Sequence, residues 1–464
     1  GIDSYFATQI RNGIGVLARV REGRIIGLEA NKRNPMTSVG LDGLSQSTIL
    51  DQYSPDRFTG PRKGSLKISW EEAVSTVGAA FKNSNSFAWI GTPRSGASSD
   101  IIKDLSRAKN GSVKNVIYWE PGGQETLVAA AKKLYNVTAT PSYKLSNAQT
   151  ILSFGADFLA SWGCNLELSS GWANSRDPNH PDNGGVVSKT YTICSRIGMS
   201  SSNTDTHVSV VPGSESGLAL AIAKKLAVAT HNSKIETLLS KVDEAAAIKA
   251  SGAKESLITD ILDSLQKGHA VALPGDTESG TNQTDLTVAT YLINEMVGDL
   301  KGKHPTVIFG EDNIDNLQSA RDVLRVLDEA ASGKIDTLFI EHVDLVYHFP
   351  SNSENPVNIA EKLQKVKNLV FFCNEPNEST VINPNAYILP SGTDLETWGV
   401  SERKFGHYAL RQPAMKTQEG IEIRQLEDVL LTIARNTGLK PAIVANPVLG
   451  DAEDSSAEIE PQEN

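Results

Sequence analysis

Short runs of apolar residues alternate with amphipathic stretches along most of this chain, and the two periods separate cleanly. Runs of about five apolar residues at 87–90, 114–119, 150–154, 189–194, 207–211, 270–273, 337–341 and 368–372 predict buried strands. Between them, segments with helical spacing predict helices at 101–109, 123–135, 217–228, 284–297, 324–331 and 425–436, with 232–267 mostly helical and polar-faced. Ser69 before Trp70-Glu71-Glu72 reads as a helix N-cap, with Glu72 as its capping-box partner. Gly60-Pro61-Arg62-Lys63-Gly64 is a turn-rich boundary ahead of it. Strands alternating with helices predict an α/β protein with parallel sheets covered on both faces.

Length and charge narrow the picture. A chain of 464 residues exceeds one ordinary core and suggests roughly three domains. A net charge of −11 argues against a nucleic-acid partner, because phosphate binding needs a basic surface. No run reaches the eighteen or so apolar residues of a membrane-crossing helix, so membrane association is expected only through a partner. The chain opens on Gly1-Ile2-Asp3 without an initiator methionine, and no targeting segment is readable. Cys164, Cys194 and Cys373 are odd in number and far apart; they suggest buried free thiols, not a disulfide framework or a zinc site.

The first sixty-odd residues are the most informative. They carry Val20, Gly23, Arg24, Glu29, Asn31 and Pro35, then Gly40-Leu41 and Gln46, and close on Tyr53, Pro55, Asp56 and Arg57. Further on come Ile151-Leu152-Ser153-Phe154-Gly155-Ala156-Asp157-Phe158-Leu159, ending in Trp162, and Pro212-Gly213-Ser214-Glu215. Leu395-Glu396-Thr397-Trp398-Gly399 and Gln412-Pro413 follow in the same order. In this order the segments resemble the molybdopterin oxidoreductase family over nearly the whole chain, from Tyr5 to about Leu439. The cysteines of that family are missing. Ile10 and Ile14 stand where a Cys-x3-Cys pair is expected, and Asp42 stands where the last cysteine should be. A [4Fe-4S] cluster needs four converging thiolates, and isoleucines offer only hydrocarbon. Leu44 replaces the basic residue that in the family lies between cluster and pterin.

The resemblance implies a fold and a division of the chain. The expected architecture is α/β and molybdopterin-oxidoreductase-like: a small β-rich N-terminal domain plus two doubly wound α/β domains. The degenerate iron-sulfur-type domain takes 1–62. One α/β domain is discontinuous over 63–142 and 315–445, and a second, Rossmann-like one takes 143–314. Residues 446–464, with six acidic residues between Asp451 and Glu463, read as an acidic tail or linker. Nothing in the chain corresponds to the final pterin-capping domain of active members.

For function, the resemblance points most closely to the molybdopterin-like part of the B subunit of alternative complex III, a quinol-oxidising complex. It implies a cofactor-free scaffold on the periplasmic side. The expected partners are an iron-sulfur, ferredoxin-like domain or subunit, a multihaem cytochrome c subunit and integral membrane quinol-binding subunits. Iron-sulfur clusters and haem c would then reside in those partners. An active molybdopterin enzyme lacking the cluster, or a degenerate subunit of another respiratory complex, stays open.

Other candidate chemistry is weaker. The segment 275–280 has Gly-x4-Gly spacing but lacks the following Lys, so a strand-to-helix loop is the better reading than a nucleotide site. His342, Asp344 and His348 would share one face of a strand end by period-two alternation and are expected to make polar contacts around the site. His180 reads as an exposed loop residue. Cys164 lacks a visible activating neighbour and reads as inert. The loops 155–162, 195–205, 275–281 and 341–350 are expected to line a vestigial pterin crevice, with Gly155, Asp157 and Trp162 holding it.

Overall fold

Period-two alternation decides which side chains each sheet sends to which core. In the computed structural model, residues 1–438 are described except 12, 111–112, 123–124, 182–184, 276–281, 299, 301–302, 312–316, 352–356 and 405. The strands are β1 (Asp3–Ile10), β2 (Ile14–Arg21), β3 (Arg24–Ala30), β4 (Arg62–Lys63), β5 (Leu66–Lys67), β6 (Phe87–Gly91), β7 (Val116–Tyr118), β8 (Pro141–Tyr143) and β9 (Thr150–Phe154). They continue as β10 (Lys189–Cys194), β11 (Thr206–Ser209), β12 (Ala270–Pro274), β13 (Val307–Phe309), β14 (Thr337–Glu341), β15 (Asn368–Phe372), β16 (Tyr387–Leu389), β17 (Gly399–Lys404) and β18 (His407–Arg411). The strands expected at 150–154, 189–194, 337–341 and 368–372 have those bounds, because each is a continuous buried run with turn residues at its ends.

The larger sheet has the order β5-β4-β16-β15-β14-β6-β7, parallel from β16 to β7 and closed at one edge by the antiparallel β4–β5 hairpin. Phe87, Trp89 and Phe339 face helices Trp70–Lys82, Ala97–Asn110 and Leu426–Thr437. Ala88, Ile90, Leu338 and Ile340 face Ala320–Ala331 and Ile359–Lys365 on the other side. The first of these cores is aromatic, with Phe87 and Phe339 meeting edge to face at 5.1 Å. Such a pair contributes about 0.5–1.5 kcal/mol beyond its buried area. Helix Trp70–Lys82 has the expected N-cap, the Ser69 hydroxyl accepting the Glu72 N–H at 3.1 Å, but not the reciprocal Glu72 bond of a capping box.

The smaller parallel sheet has the order β11-β10-β9-β12. Leu152, Phe154, Ala270 and Ala272 face helices Glu215–Ala229, Glu255–Leu265 and Gln283–Val297, while Ile151, Val271 and Leu273 face the β8–β13 side. Helix Glu125–Tyr135 also leans on this unit: the Tyr291 hydroxyl donates to the Leu127 carbonyl at 3.1 Å.

The N-terminal domain is a three-stranded antiparallel sheet, β1-β2-β3. It matches the small β-rich domain expected over 1–62, for which no individual strand was delimited from the sequence. The β17–β18 hairpin was also unread; it sits beside β1, where Gln9 Nε2 donates to the Ala409 carbonyl at 2.9 Å. Three further expectations change. Residues 345–348 form a short helix capped by Asp344, so His342, Asp344 and His348 do not share a strand face. Cys194 and Cys373 are buried, whereas Cys164 is only half-buried. His180 is likewise half-buried. The Gly-x4-Gly loop beyond Gly275 and the acidic tail lie outside the described residues.

Candidate functional site

The strand ends of the larger sheet open into a cavity of about 870 Å³, bounded on its far side by the N-terminal domain. Its lining carries Asp42, Asp51, Glu120, Glu341, Asp344, Glu375, Asp394 and Glu427 against Arg11, Arg94, Arg403 and Arg411. Formal charge on these walls is therefore negative.

Glu341 ends the apolar strand β14 and is the best-defined of these groups. Its Oε2 accepts the Thr92 N–H at 3.2 Å and the Thr92 hydroxyl at 3.0 Å, and Oε1 pairs with Arg94. Burial pushes the Glu341 carboxyl up, but the Arg94 guanidinium, His342 and Thr92 outweigh it and hold the group below the usual range. Gly91 makes room for this: a methyl there would stand 2.5 Å from Trp89 Nε1 and 2.9 Å from Glu341 Oε2. Nearby, Asp344 caps helix Leu345–His348 and also accepts the N–H groups of Glu378 at 3.0 Å and Ser379 at 3.2 Å. Asp394 accepts the Arg11 N–H at 2.8 Å and pairs with Arg411. Partial burial raises the Asp51 carboxyl, and the neighbouring carboxylates Glu375 and Asp394 raise it further. Cys373 is pushed up to about 12 by burial and then by Asp344, so its thiol stays neutral.

The cluster position is hydrocarbon. Ile10 and Ile14 pair directly across the β1–β2 turn and bury with Val16, Met36, Leu166 and Leu395. Asp42 caps helix Gly43–Ser47 through the Ser45 N–H at 2.7 Å. Burial raises the Asp42 carboxyl, but hydrogen bonds from Ser45 and the Arg11 charge bring it below its ordinary value. Of the three cysteines only Cys164 packs near this core, while Cys194 ends β10 and Cys373 follows β15. This donor set does not fit a four-thiolate cluster. Among the described residues, no group of three or more His, Cys, Asp and Glu side chains could hold a metal ion.

The structure separates residues that the sequence reading put in one crevice. Glu341, His342, Asp344 and His348 line the large cavity; Gly155, Asp157 and Trp162 do not. Gly155 and Asp157 lie at the strand ends of the smaller sheet, beside a space of about 10 Å³ shared with Thr192, Arg196 and Ser200. Asp157 Oδ1 accepts the Ser200 N–H at 2.7 Å there. Trp162 packs on Tyr143, with ring centroids 5.5 Å apart. Arg94, Asp51, Glu375 and Asp394 were not anticipated from sequence, and Glu341 was expected only as the end of the strand 337–341 and the start of a crevice-lining loop, with no partner named. One signal was available: an acid closing the otherwise apolar run 337–340 must be paired when buried.

Comparison with known proteins adds the following. No protein-family model matches the chain. The molybdopterin-binding-like subunit of menaquinone reductase from Nitratidesulfovibrio vulgaris (strain Hildenborough) is 24% identical over 323 residues, 67% of this chain and 42% of that protein. The chain thus spans less than half the length of the curated relative it matches. Among solved structures, acetylene hydratase from Pelobacter acetylenicus aligns with a TM-score of 0.68 at 11% identity, covering 94% of this chain and 67% of that one. Its fold is that of the molybdopterin oxidoreductases.

Proposed function

We propose that this molybdopterin-oxidoreductase-like protein is a structural part of a quinone-linked electron-transfer complex and carries no catalysis of its own. Burial of Ile10 and Ile14 where cluster thiolates would stand carries the reading, because it leaves no relay for electrons in the N-terminal domain. Likeness to a menaquinone reductase subunit supports the quinone link. The finer proposal is a subunit of the alternative complex III type, on the periplasmic side. An iron-sulfur ferredoxin-like module, a multihaem cytochrome c and integral membrane quinol-binding subunits would lie alongside it. Among the described residues no helix is long and apolar enough to cross a membrane, so membrane attachment would come through those partners.

The 870 Å³ cavity keeps a second reading in play, an active molybdopterin enzyme without the cluster. Elemental analysis and oxidised-pterin fluorescence of the purified chain separate the two. Near-stoichiometric molybdenum or tungsten with pterin would reject the scaffold reading. Absence of both from folded protein, with haem and iron-sulfur subunits co-purifying from the native membrane, is the expected result.

A further inference from the structure

An antiparallel hairpin lying on a protein normally turns its apolar side chains inward and its polar ones to water. The β17–β18 hairpin does the reverse. Gly399, Ser401, Arg403 and Arg411 turn to the large cavity, where Arg411 pairs with Asp394. Trp398, Tyr408 and Leu410 face solvent, and Val400, opposite Leu410, borders both cavity and solvent. These four are 53%, 71%, 57% and 48% exposed. We infer that this outer face is the core of an interface with another polypeptide, one that presents an uncharged, apolar surface of packed side chains. The inference deepens the structural reading above and rests on it.

Both edges of the hairpin are engaged within the chain, which leaves its side-chain face for docking in place of strand addition. Along β18 the Ala409 carbonyl accepts from Gln9 Nε2 at 2.9 Å, and the Gln412 N–H just beyond donates to the Thr8 hydroxyl at 3.1 Å. Along β17 the Glu402 N–H donates to the Ser95 hydroxyl at 3.2 Å. Gly96 lies close on the same edge, where a methyl would stand 2.7 Å from the Val400 carbonyl oxygen. The hairpin is thus held at its sides, and its apolar face is presented on a fixed support.

Charge and area say what fits there. The hairpin's charges are turned to partners in the chain: Arg411 to Asp394, Lys404 to Glu167 at 2.8 Å, and Glu402 to the Gly406 N–H at 2.8 Å. A charged partner surface would lose its water with nothing to pair, so complementarity calls for an uncharged one. A lipid surface would ask for basic residues around the face, and these cations point inward. Trp and Tyr are the side chains enriched at the centres of protein interfaces. Together the four residues expose roughly 500 Å², the size of patch that marks an interaction site. A second copy docked face to face would bury about 1,000 Å² in all, short of the roughly 1,200 Å² at which stable interfaces begin. It would also bring together two chains of net charge −11. A different polypeptide is not bound by that symmetry and can extend over β1, where Tyr5 and Phe6 are exposed as well.

The test places a benzophenone amino acid at Tyr408 in the full protein, in its own membranes, and reads the photo-cross-link by peptide mass. The expected result is a cross-link to a polypeptide other than this chain, at a segment of uncharged apolar residues. The same probe at the exposed Tyr347, on another part of the surface, should not reach that segment. Leu410→Glu should weaken co-purification with that polypeptide roughly tenfold or more, with the melting temperature of the chain itself unmoved. A cross-link to a second copy, to a highly charged segment, to lipid alone or to nothing overturns the inference. A folded Leu410→Glu that co-purifies like the wild type overturns it too. Should Leu410→Glu fail to fold, the Tyr408 cross-link decides alone. Redox subunits that co-purify while the Tyr408 probe stays unlinked would remove this interface and leave the structural reading standing. Stoichiometric pterin and metal would reject the structural reading whatever the probe finds.

Discussion

Breaking the ion pair between Arg57 and Glu396 should loosen the N-terminal domain without unfolding the sheets behind it. The two side chains are 1% and 0% exposed and meet through two parallel hydrogen bonds of 2.9 and 2.7 Å. Arg57 also donates to the Gln52 carbonyl at 3.3 Å, and Glu396 Oε2 accepts the Thr393 N–H at 3.2 Å. Glu396→Ala strands a guanidinium in a dry site, which costs about 3–5 kcal/mol. At about 1.4 kcal/mol per decade, that multiplies local opening by roughly 10² to 10⁴. Hydrogen exchange read by mass spectrometry resolves this where a global melt of a multidomain chain cannot. Peptides covering 1–60 and 390–415 should exchange faster by that factor, and peptides from β9 and β12 should not change. The double variant Arg57→Met/Glu396→Leu should return to within about 1–2 kcal/mol of wild type, since replacing both charges leaves nothing unpaired. Acceleration by less than tenfold in Glu396→Ala, or a double variant as loose as the single one, would refute the reasoning.

Five further outcomes are expected. Ile10→Ala, at a fully buried position, should cost about 2–5 kcal/mol in the opening free energy of β1–β3, measured by the same exchange. Gly275→Ala places a methyl against backbone that cannot rotate away, and should lower the melting temperature of the smaller unit by the equivalent of about 1–3 kcal/mol or more. For pH, the Asp51 carboxyl is raised above 3.8 in the folded state, so its ionised form weakens the fold; Asp51→Asn should stabilise at pH 7, with the gain vanishing below pH 3.8 in pH-resolved melts. Glu341 is lowered from 4.5, so its stabilisation is complete above that value and lost as pH falls through the folded-state value; exchange at 92–95 should quicken only in acid. At pH 8 an alkylating reagent should modify the half-buried Cys164 and leave Cys373 untouched, read by peptide mass.

Much of the fold was legible because the signals behind it are local. A continuous buried run sets β9 or β14 whatever surrounds it, and Ser69 caps its helix with an atom three residues from the N–H it accepts. The absence of thiolates at Ile10, Ile14 and Asp42 was equally plain, since no packing turns isoleucine into a donor. The segment 345–348 misled because one turn of helix is too short to show a period; Asp344 decided it by capping. The cavity was beyond reach for a different reason. Asp51, Arg94, Glu375 and Asp394 come from separate stretches, and each read singly is an ordinary surface charge; beside them Glu341 alone carried a signal, as the acid that closes an apolar run. Their meaning lies in mutual distance, because the energy of a charge depends on what neighbours it and how much water remains. Gly155 and Asp157 show the converse: their segment marks the family-like loop, yet only sheet order and the approach of Gly275 decide that this loop closes on itself and leaves the large cavity to the other sheet. Sequence thus determined which elements form and which donors are missing; tertiary structure alone decided which charges meet and which crevice stays open.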